Sequence, residues 1–539
     1  MAPPPKPPAF SIPPALLRAL TGLRERIGAR TGACAERIRA CREWTRARLR
    51  RLRTPALRAW AFLRPPGRGP LRLIAVGALA GTVVAVLTGP ARPPRTPAGP
   101  SQRPTAGAAG IGDAYFPGLG NGGFDVRHYD LDLRYAPGTG RLDGRATITA
   151  RTTRALSSFD LDLQQLDVRS VEVDGRPAAF VHAGDELGIR PAHPLPKGHT
   201  FTTTVTYGGT PRPLGGPVVF GSRYGWIRTR DGAFVACEPN GASTWFPAND
   251  HPSDKATFDV RIRAPKGLTA ISNGRLVSLT DDGDHAVAHW RESQPMAPYL
   301  ATATIGRFRV RQGRTPAGIP MYVATDPALA GRGPDFYALT AEVTDHWARV
   351  FGPYPFEQTG AVVDDVPEAE FSLETQTKPL YSAVRDESTI VHELAHQWFG
   401  DSVSVERWQD IWLNEGFATY AEWLWDEHKG RQSTHRSFLA AYNQRSAGDP
   451  FWQIDIADPR RETLLSRSVY YRGAMTLQVL RERIGDRAFF SLLRQWTRMH
   501  RGGNVRTGQF IALAEAVSHQ DLSKLFATWL SSRDKPKLG

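Results

Sequence analysis

The sequence predicts an α+β protein in which a strand-rich half precedes a mainly helical half. Three observations carry that expectation. From about residue 124, Tyr129, Leu131, Leu133 and Tyr135 alternate with Asp130, Asp132 and Arg134, the period of a strand with one buried face. After residue 330 the period lengthens, giving helical stretches near 335–350, 388–399, 414–429 and 468–484, several closed by Gly400, Gly430 and Gly485. The chain of 539 residues, 41% hydrophobic and 22% charged, is foldable but too long for one ordinary domain, and no repeat at solenoid spacing interrupts it.

The strand pattern recurs through the first half. Phe159, Leu161 and Leu163 alternate with Asp160 and Asp162, Val171 and Val173 precede a turn at Asp174-Gly175, and His199 to Tyr207 is a Thr-rich β segment. This places a β domain over 113–318 and a helical domain over 319–539.

The formal net charge of +15 is concentrated at the N-terminus. Residues 1–72 hold 17 Lys/Arg against three acids, Glu25, Glu36 and Glu43, while the remainder is balanced at 51 against 50. The balance excludes an extended basic surface for nucleic acid beyond the tail.

Next come seventeen uncharged residues, Leu73 to Gly89, at the lower limit for a membrane-spanning helix. With arginines crowded before it and only Arg92 and Arg95 soon after, the expected orientation is a type II signal-anchor. The tail 1–72 would then be cytoplasmic, and everything beyond 73–89 would lie outside. Signal cleavage followed by secretion is the alternative, as is a start codon inside the tail. Residues 90–112, rich in Pro, Gly, Ala and Thr, read as a stalk. Cys34 and Cys41 fall in the tail, so Cys237 is the one thiol beyond the stalk and no disulfide can form within that part.

The chemistry-bearing segment is Thr389 to Gly400, a helix expected to start from an N-cap at Asp386 or Ser388 and to contain His392-Glu393-Leu394-Ala395-His396. Residues four apart lie one turn above each other, so both imidazoles can face one zinc ion with Glu393 beside it. Two such histidines also occur on ordinary helices, so the pair needs a third ligand. Glu415, nineteen residues after His396 in Trp412-Leu-Asn-Glu-Gly-Phe-Ala-Thr-Tyr-Ala-Glu422, supplies it from a second helix. Two imidazoles, a carboxylate and an open position make a catalytic rather than a structural zinc set.

These two segments and their spacing resemble the aminopeptidase N family of zinc peptidases, which also includes the leukotriene hydrolase. Two further blocks, Trp245 to Phe258 and Gln294 to Leu300, are similar to that family's N-terminal domain. The resemblance, over roughly 115–535, implies an N-terminal β saddle or sandwich and a thermolysin-like, mainly helical catalytic domain, without the C-terminal helical domain that many members carry. It implies one zinc per chain held by His392, His396 and Glu415, and Glu393 as the general base. It further implies that Glu374, in Phe371-Ser-Leu-Glu-Thr375, and Glu238, in Cys237-Glu-Pro239, bind the substrate's free α-ammonium. Tyr470, in Val469-Tyr-Tyr-Arg-Gly-Ala474, takes the position of the catalytic tyrosine, in preference to Tyr471. Phe371, Leu373 and Thr375 depart from the family's Gly, Met and Asn.

The expected activity is therefore removal of N-terminal residues from peptides with a free amine. A zinc endopeptidase and a catalytically silent surface scaffold remain as rival readings, with epoxide hydrolysis a remote one. Preferred side chain, physiological substrates and oligomeric state are not legible in the sequence.

Overall fold

The structure, a computed structural model, describes residues 103–216 and 221–538. The basic tail, the segment 73–89, most of the stalk, and Cys34 and Cys41 lie outside the described residues. Among the described residues no helix is long and apolar enough to cross a membrane.

The alternating segment forms the strand Phe124–Ala136, with Tyr129, Leu131 and Leu133 fully buried. It lies near the middle of an eight-stranded sheet, with Arg141–Thr152 antiparallel on one side and Ala256–Pro265 parallel on the other. Thr200–Gly209 follows, pairing with Asp167–Val173, which turns at Asp174 and Gly175 with both φ positive. That geometry is the hairpin turn an Asp-Gly pair favours. A four-stranded sheet containing Leu156–Asp162 packs on the large one through Phe124, Phe159 and Phe201, with neighbouring ring centroids 5.2–5.5 Å apart. A five-stranded sheet built around Arg223–Arg228 and Ala233–Ala236 completes the β half and leads directly to Glu238. The expected β sandwich is therefore present.

One outward-facing acid is misassigned by simple alternation. Asp162 is 1% exposed, because its Oδ2 accepts the backbone N–H groups of Gly120 (3.1 Å) and Asp250 (2.7 Å). The amide donors hold one oxygen of this buried carboxylate, while burial pushes its carboxyl well up.

The division between halves also differs from 318/319. Arg309–Arg314 pairs antiparallel with Pro320–Thr325, and that strand continues in parallel to Thr359–Val363 and Leu380–Tyr381. The position 318/319 thus falls inside a hairpin loop, and the second sheet begins at Arg309. Its far edge is the short antiparallel strand Ser372–Leu373, which delivers Glu374.

The helices follow as α1 (Phe336–Val350), α2 (Glu387–Ala395), α3 (Trp412–His428), α4 (Thr434–Asn443), α5 (Arg467–Ile484), α6 (Asp486–Met499) and α7 (Thr507–Ser518). The α2 cap is Asp386, whose Oδ1 accepts the Thr389 N–H at 2.9 Å. Regular α2 ends at Ala395, short of Gly400. His396 nevertheless keeps helical angles (φ −57°, ψ −26°), so the one-turn relation to His392 survives.

A glycine pair lets α3 and α5 touch. A Cβ on Gly416 would stand 2.8 Å from the Gly473 Cα, and one on Gly473 would stand 2.7 Å from the Gly416 Cα. Any side chain at either position would push the helices apart, and with them Glu415 and Tyr470. On the same turn of α5, the fully buried Arg472 donates to the carbonyls of Trp452, Ile454, Thr528, Trp529 and Ser532. This ties the C-terminal turn of the described chain to α5.

Candidate active site

Helix α2 projects His392 and His396 from one face, with imidazole centroids 4.8 Å apart. Helix α3 brings Glu415 against them, its Oε2 3.3 Å from His392 Nε2 and 3.5 Å from His396 Nε2. One donor atom from each of the three lies within 4.8 Å of the other two. All three site donors are therefore buried or nearly so at a single point.

The opposite imidazole nitrogens are already engaged. His392 Nδ1 pairs with Glu422 Oε1 at 2.7 Å, and His396 Nδ1 donates to the Phe399 carbonyl at 3.0 Å. With Nδ1 committed to these acceptors, the Nε2 atoms of both rings face the common centre, where a bound metal would take the place of their protons. Glu422 is in turn held by the Ser388 hydroxyl at 2.7 Å. It stands seven residues after Glu415, two turns along the same face of α3.

The electrostatics fit a dication. Burial alone would raise the Glu415 carboxyl, but the imidazoles of His396 and His392 outweigh it and hold it at about 2. Burial disfavours the His396 imidazolium, yet Glu415 and Glu374 raise its pKa to about 9. A pocket this negative is one that Zn²⁺ would relieve, and two imidazoles with one carboxylate are its preferred catalytic donors.

The remaining sequence candidates converge on the same place. Glu393, Glu374 and His396 have donor atoms within 4.8 Å of one another, and so do Glu238, Glu374 and Glu415. Burial lifts the Glu393 carboxyl to about 7 against the pull of the two imidazoles. Burial also lifts Glu238 and Glu374, with the other carboxylates adding to the rise in each and the two imidazoles opposing it at Glu374. Glu374 receives only a long contact from the Tyr299 hydroxyl (3.4 Å), and Glu238 Oε1 is buried without a partner. The Tyr470 ring stacks on His392 at 5.8 Å and 13°, whereas Tyr471 lies under the Arg445 guanidinium. The geometry thus selects Tyr470 over its neighbour. Burial and the surrounding carboxylates push its phenol well upward, so it stays protonated and able to donate.

Phe371, where the family carries glycine, is half-buried and its carbonyl accepts the Ser382 hydroxyl at 2.7 Å. That bond anchors the strand just before Glu374. On the other side, Gln397 Nε2 donates to the Glu374 carbonyl at 3.1 Å.

Three features escaped the sequence reading. Glu422 was not singled out, although its i+7 spacing from Glu415 was the available signal. Tyr299, inside the Gln294 to Leu300 block, faces Glu374. Lys255, inside the Trp245 to Phe258 block, donates to the carbonyls of Asp401 (2.7 Å) and Ser402 (3.1 Å), joining the β half to the turn that follows His396.

Comparison with known proteins places these features in a family. Residues 126–300 match the peptidase M1 N-terminal domain and residues 366–529 the peptidase family M1 domain. The M1 zinc metallopeptidase of Deinococcus radiodurans superposes with a TM-score of 0.74 at 30% identity, covering 79% of this chain and 99% of that one. A variant of that metallopeptidase, solved with a Tyr-Ser-Ala substrate, gives a TM-score of 0.74 at 29% identity, with 79% and 99% covered. Aminopeptidase M1 of Arabidopsis thaliana is 28% identical over 331 residues, 56% of this chain and 37% of that protein. The chain thus spans half or less of the curated plant relatives it matches. Sharing two domain matches, a near-complete structural counterpart and a zinc donor set that its own fold assembles, the chain belongs to peptidase family M1, whose solved structural neighbours are zinc metallopeptidases.

Proposed function

We propose that the protein is a zinc aminopeptidase that hydrolyses the first peptide bond of substrates with a free N-terminal amine. The observation that carries this is the placement of Glu238 and Glu374 within reach of Glu415. Two buried carboxylates lacking a cationic partner of their own offer an α-ammonium charge-assisted hydrogen bonds. A chain continuing on the N-terminal side of the bond would have to bury its neutral amide there instead.

Zinc, held by His392, His396 and Glu415, would supply Lewis acidity, polarising the first carbonyl and acidifying a water molecule. Glu393 accepts the proton of the attacking water as the new C–O bond forms, and returns it to the departing amine as the C–N bond breaks. In the metal-free site, burial lifts this carboxyl towards neutral pH, placing it to take and return that proton. Tyr470, protonated and stacked beside His392, donates its hydroxyl to the oxyanion that develops on the former carbonyl. Glu238 and Glu374 hold the ammonium and so set which carbonyl reaches this constellation. Products are one amino acid and a peptide shortened by one residue.

The Tyr-Ser-Ala complex of the Deinococcus variant is consistent with short free-amine peptides as substrates here. For location, we propose a single-pass anchor over 73–89 with the catalytic half outside the cytoplasmic membrane, supported by the charge asymmetry around that segment. Protease protection of the tail, but not of the catalytic half, in right-side-out vesicles would test it.

The activity is tested with Ala- and Leu-anilides, matched N-acetyl substrates and a chelator control. Cleavage of free-amine substrates alone, abolished by chelation, is expected. Cleavage of blocked peptides would replace the reading with an endopeptidase, and zinc binding without turnover would replace it with a silent scaffold.

A further inference from the structure

A cavity of about 510 Å³ lies away from the metal cluster, between α6, the Gly352–Pro355 segment after α1 and the turn that follows His396. That volume is in the range of about 300–1,000 Å³ that small-molecule sites occupy. Pro353, Pro355 and the Trp398 ring form its apolar wall, and Arg494, Arg498 and Arg501 stand on the α6 side. The Trp398 indole N–H donates to the Gly352 carbonyl at 2.9 Å, which fixes the ring in that wall.

The three arginines are unusual in their company. Arg494 and Arg498 are one helical turn apart and Arg501 follows three residues on, so three like charges occupy one side of the cavity. Such spacing is repulsive on a helix. Arg494 makes one long contact, to the Val350 carbonyl at 3.5 Å, and Arg501 donates to the Pro355 carbonyl. Among the described residues no carboxylate pairs with any of the three, although other exposed arginines here, such as Arg311 and Arg506, do have acidic partners. The cavity therefore combines an apolar wall with an uncompensated cationic rim.

We propose that this cavity binds a small organic anion, an alkyl or aryl carboxylate. Its head would lie between Arg494 and Arg498, and its apolar body against Pro353, Pro355 and Trp398. The planar guanidinium fork matches a carboxylate's two oxygens, and the arginine stems extend the apolar wall towards the head. Because Trp398 is two residues beyond His396, the ligand would touch the segment that carries a zinc donor without entering the zinc site.

The test is calorimetric titration of the full chain with octanoate, and with octanol as the uncharged counterpart, against the Arg494→Gln/Arg498→Gln double variant in the same buffer. Both arginines are exposed, so the variant is expected to keep the parent's melting temperature and peptidase rate. The expected result is saturable octanoate binding to one site, weakened at least tenfold in the double variant and at least tenfold tighter than octanol. Equal octanoate affinity in parent and variant, equal affinity for octanol, or no saturable binding would each overturn the assignment. The readout is binding, so it stands or falls independently of the aminopeptidase activity.

Discussion

The two ends of the candidate site use the same side chain in opposite ways. At the metal end, Glu415 is surrounded by imidazoles that hold its carboxyl at about 2. Those imidazoles are fixed from behind by Glu422 and the Phe399 carbonyl. At the amine end, Glu238 and Glu374 are equally buried, yet burial and the neighbouring carboxylates raise both, and one oxygen of Glu238 has no partner. An unpaired buried carboxylate is costly, so a fold that leaves Glu238 without a partner beside Glu374, which has only a long one, leaves the compensating cation to the ligand. On the proposed reading, the first end is finished by the protein and the second is completed by the substrate's ammonium.

Glu393 sits between the ends and separates chemistry from binding, so its replacement is expected to have the largest effect. Glu393→Gln preserves shape and removes the proton acceptor. We expect kcat to fall by about 10²- to 10⁴-fold, with zinc content, measured by atomic absorption, unchanged. A parent-like kcat would take the proton-transfer role away from this residue. Loss of zinc instead would place it among the metal's supports.

At the amine end, Glu374→Gln removes one charge-assisted partner. Hydrogen bonds to charged groups contribute about 1.5–3 kcal/mol, so kcat/KM for free-amine peptides should fall by about 10- to 100-fold. Zinc content should not change, and any residual rate on N-acetyl substrates should be unaffected. An equal loss on both substrate types would show that Glu374 supports the metal end, erasing the contrast.

The contrast also explains what could be read from the sequence. His392 and His396 were legible because helix geometry converts their spacing into a shared face, and Glu415 because it follows on a second helix able to complete the donor set. Glu374 and Glu238 were not, since they arrive on loop-like ends of two different sheets, and only the family resemblance marked them. Acids defeated the strand pattern for a related reason. Asp162 sits in an alternating run yet is buried, because amides distant in sequence, at Gly120 and Asp250, bind it. Asp254 is likewise held by the Val126 N–H at 3.0 Å. The β sandwich and the principal helices were visible in periodicity. The hairpin across residue 318 was missed because composition changes only after the sheet has already begun. Helices α4, α6 and α7 were also missed, although α6 carries a clear apolar stripe of Phe489, Leu492, Leu493 and Trp496.

Glu422 tests whether the metal end really is finished by the protein. Glu422→Ala frees His392 Nδ1 without touching a proposed zinc donor. Loss of such an outer partner weakens metal affinity by about 10- to 100-fold. We expect activity to be lost on dialysis against a weak chelator and regained on adding zinc, with kcat near the parent's at saturation. A kcat that stays low at saturating zinc would assign Glu422 a role beyond orienting the imidazole.

The smallest expected effect is on stability, and its sign is the informative part. In the metal-free protein, Glu238→Gln replaces a buried carboxyl, whose ionisation burial, Glu374 and Glu415 all oppose, with a neutral group of the same shape. Glu415→Gln does the reverse, stripping His392 and His396 of the carboxylate that balances them. A difference of about 1 kcal/mol shifts the melting temperature of a folded unit of 150–250 residues by roughly 2–4 °C, and by less in a larger one. We therefore expect a rise of a degree or two for the first substitution and a larger fall for the second, read by differential scanning calorimetry in the presence of chelator. If both substitutions lowered the melting temperature, Glu238 would have a compensating partner in the folded protein. The amine end would then be as internally balanced as the metal end, and the ammonium would have no vacant charge to fill.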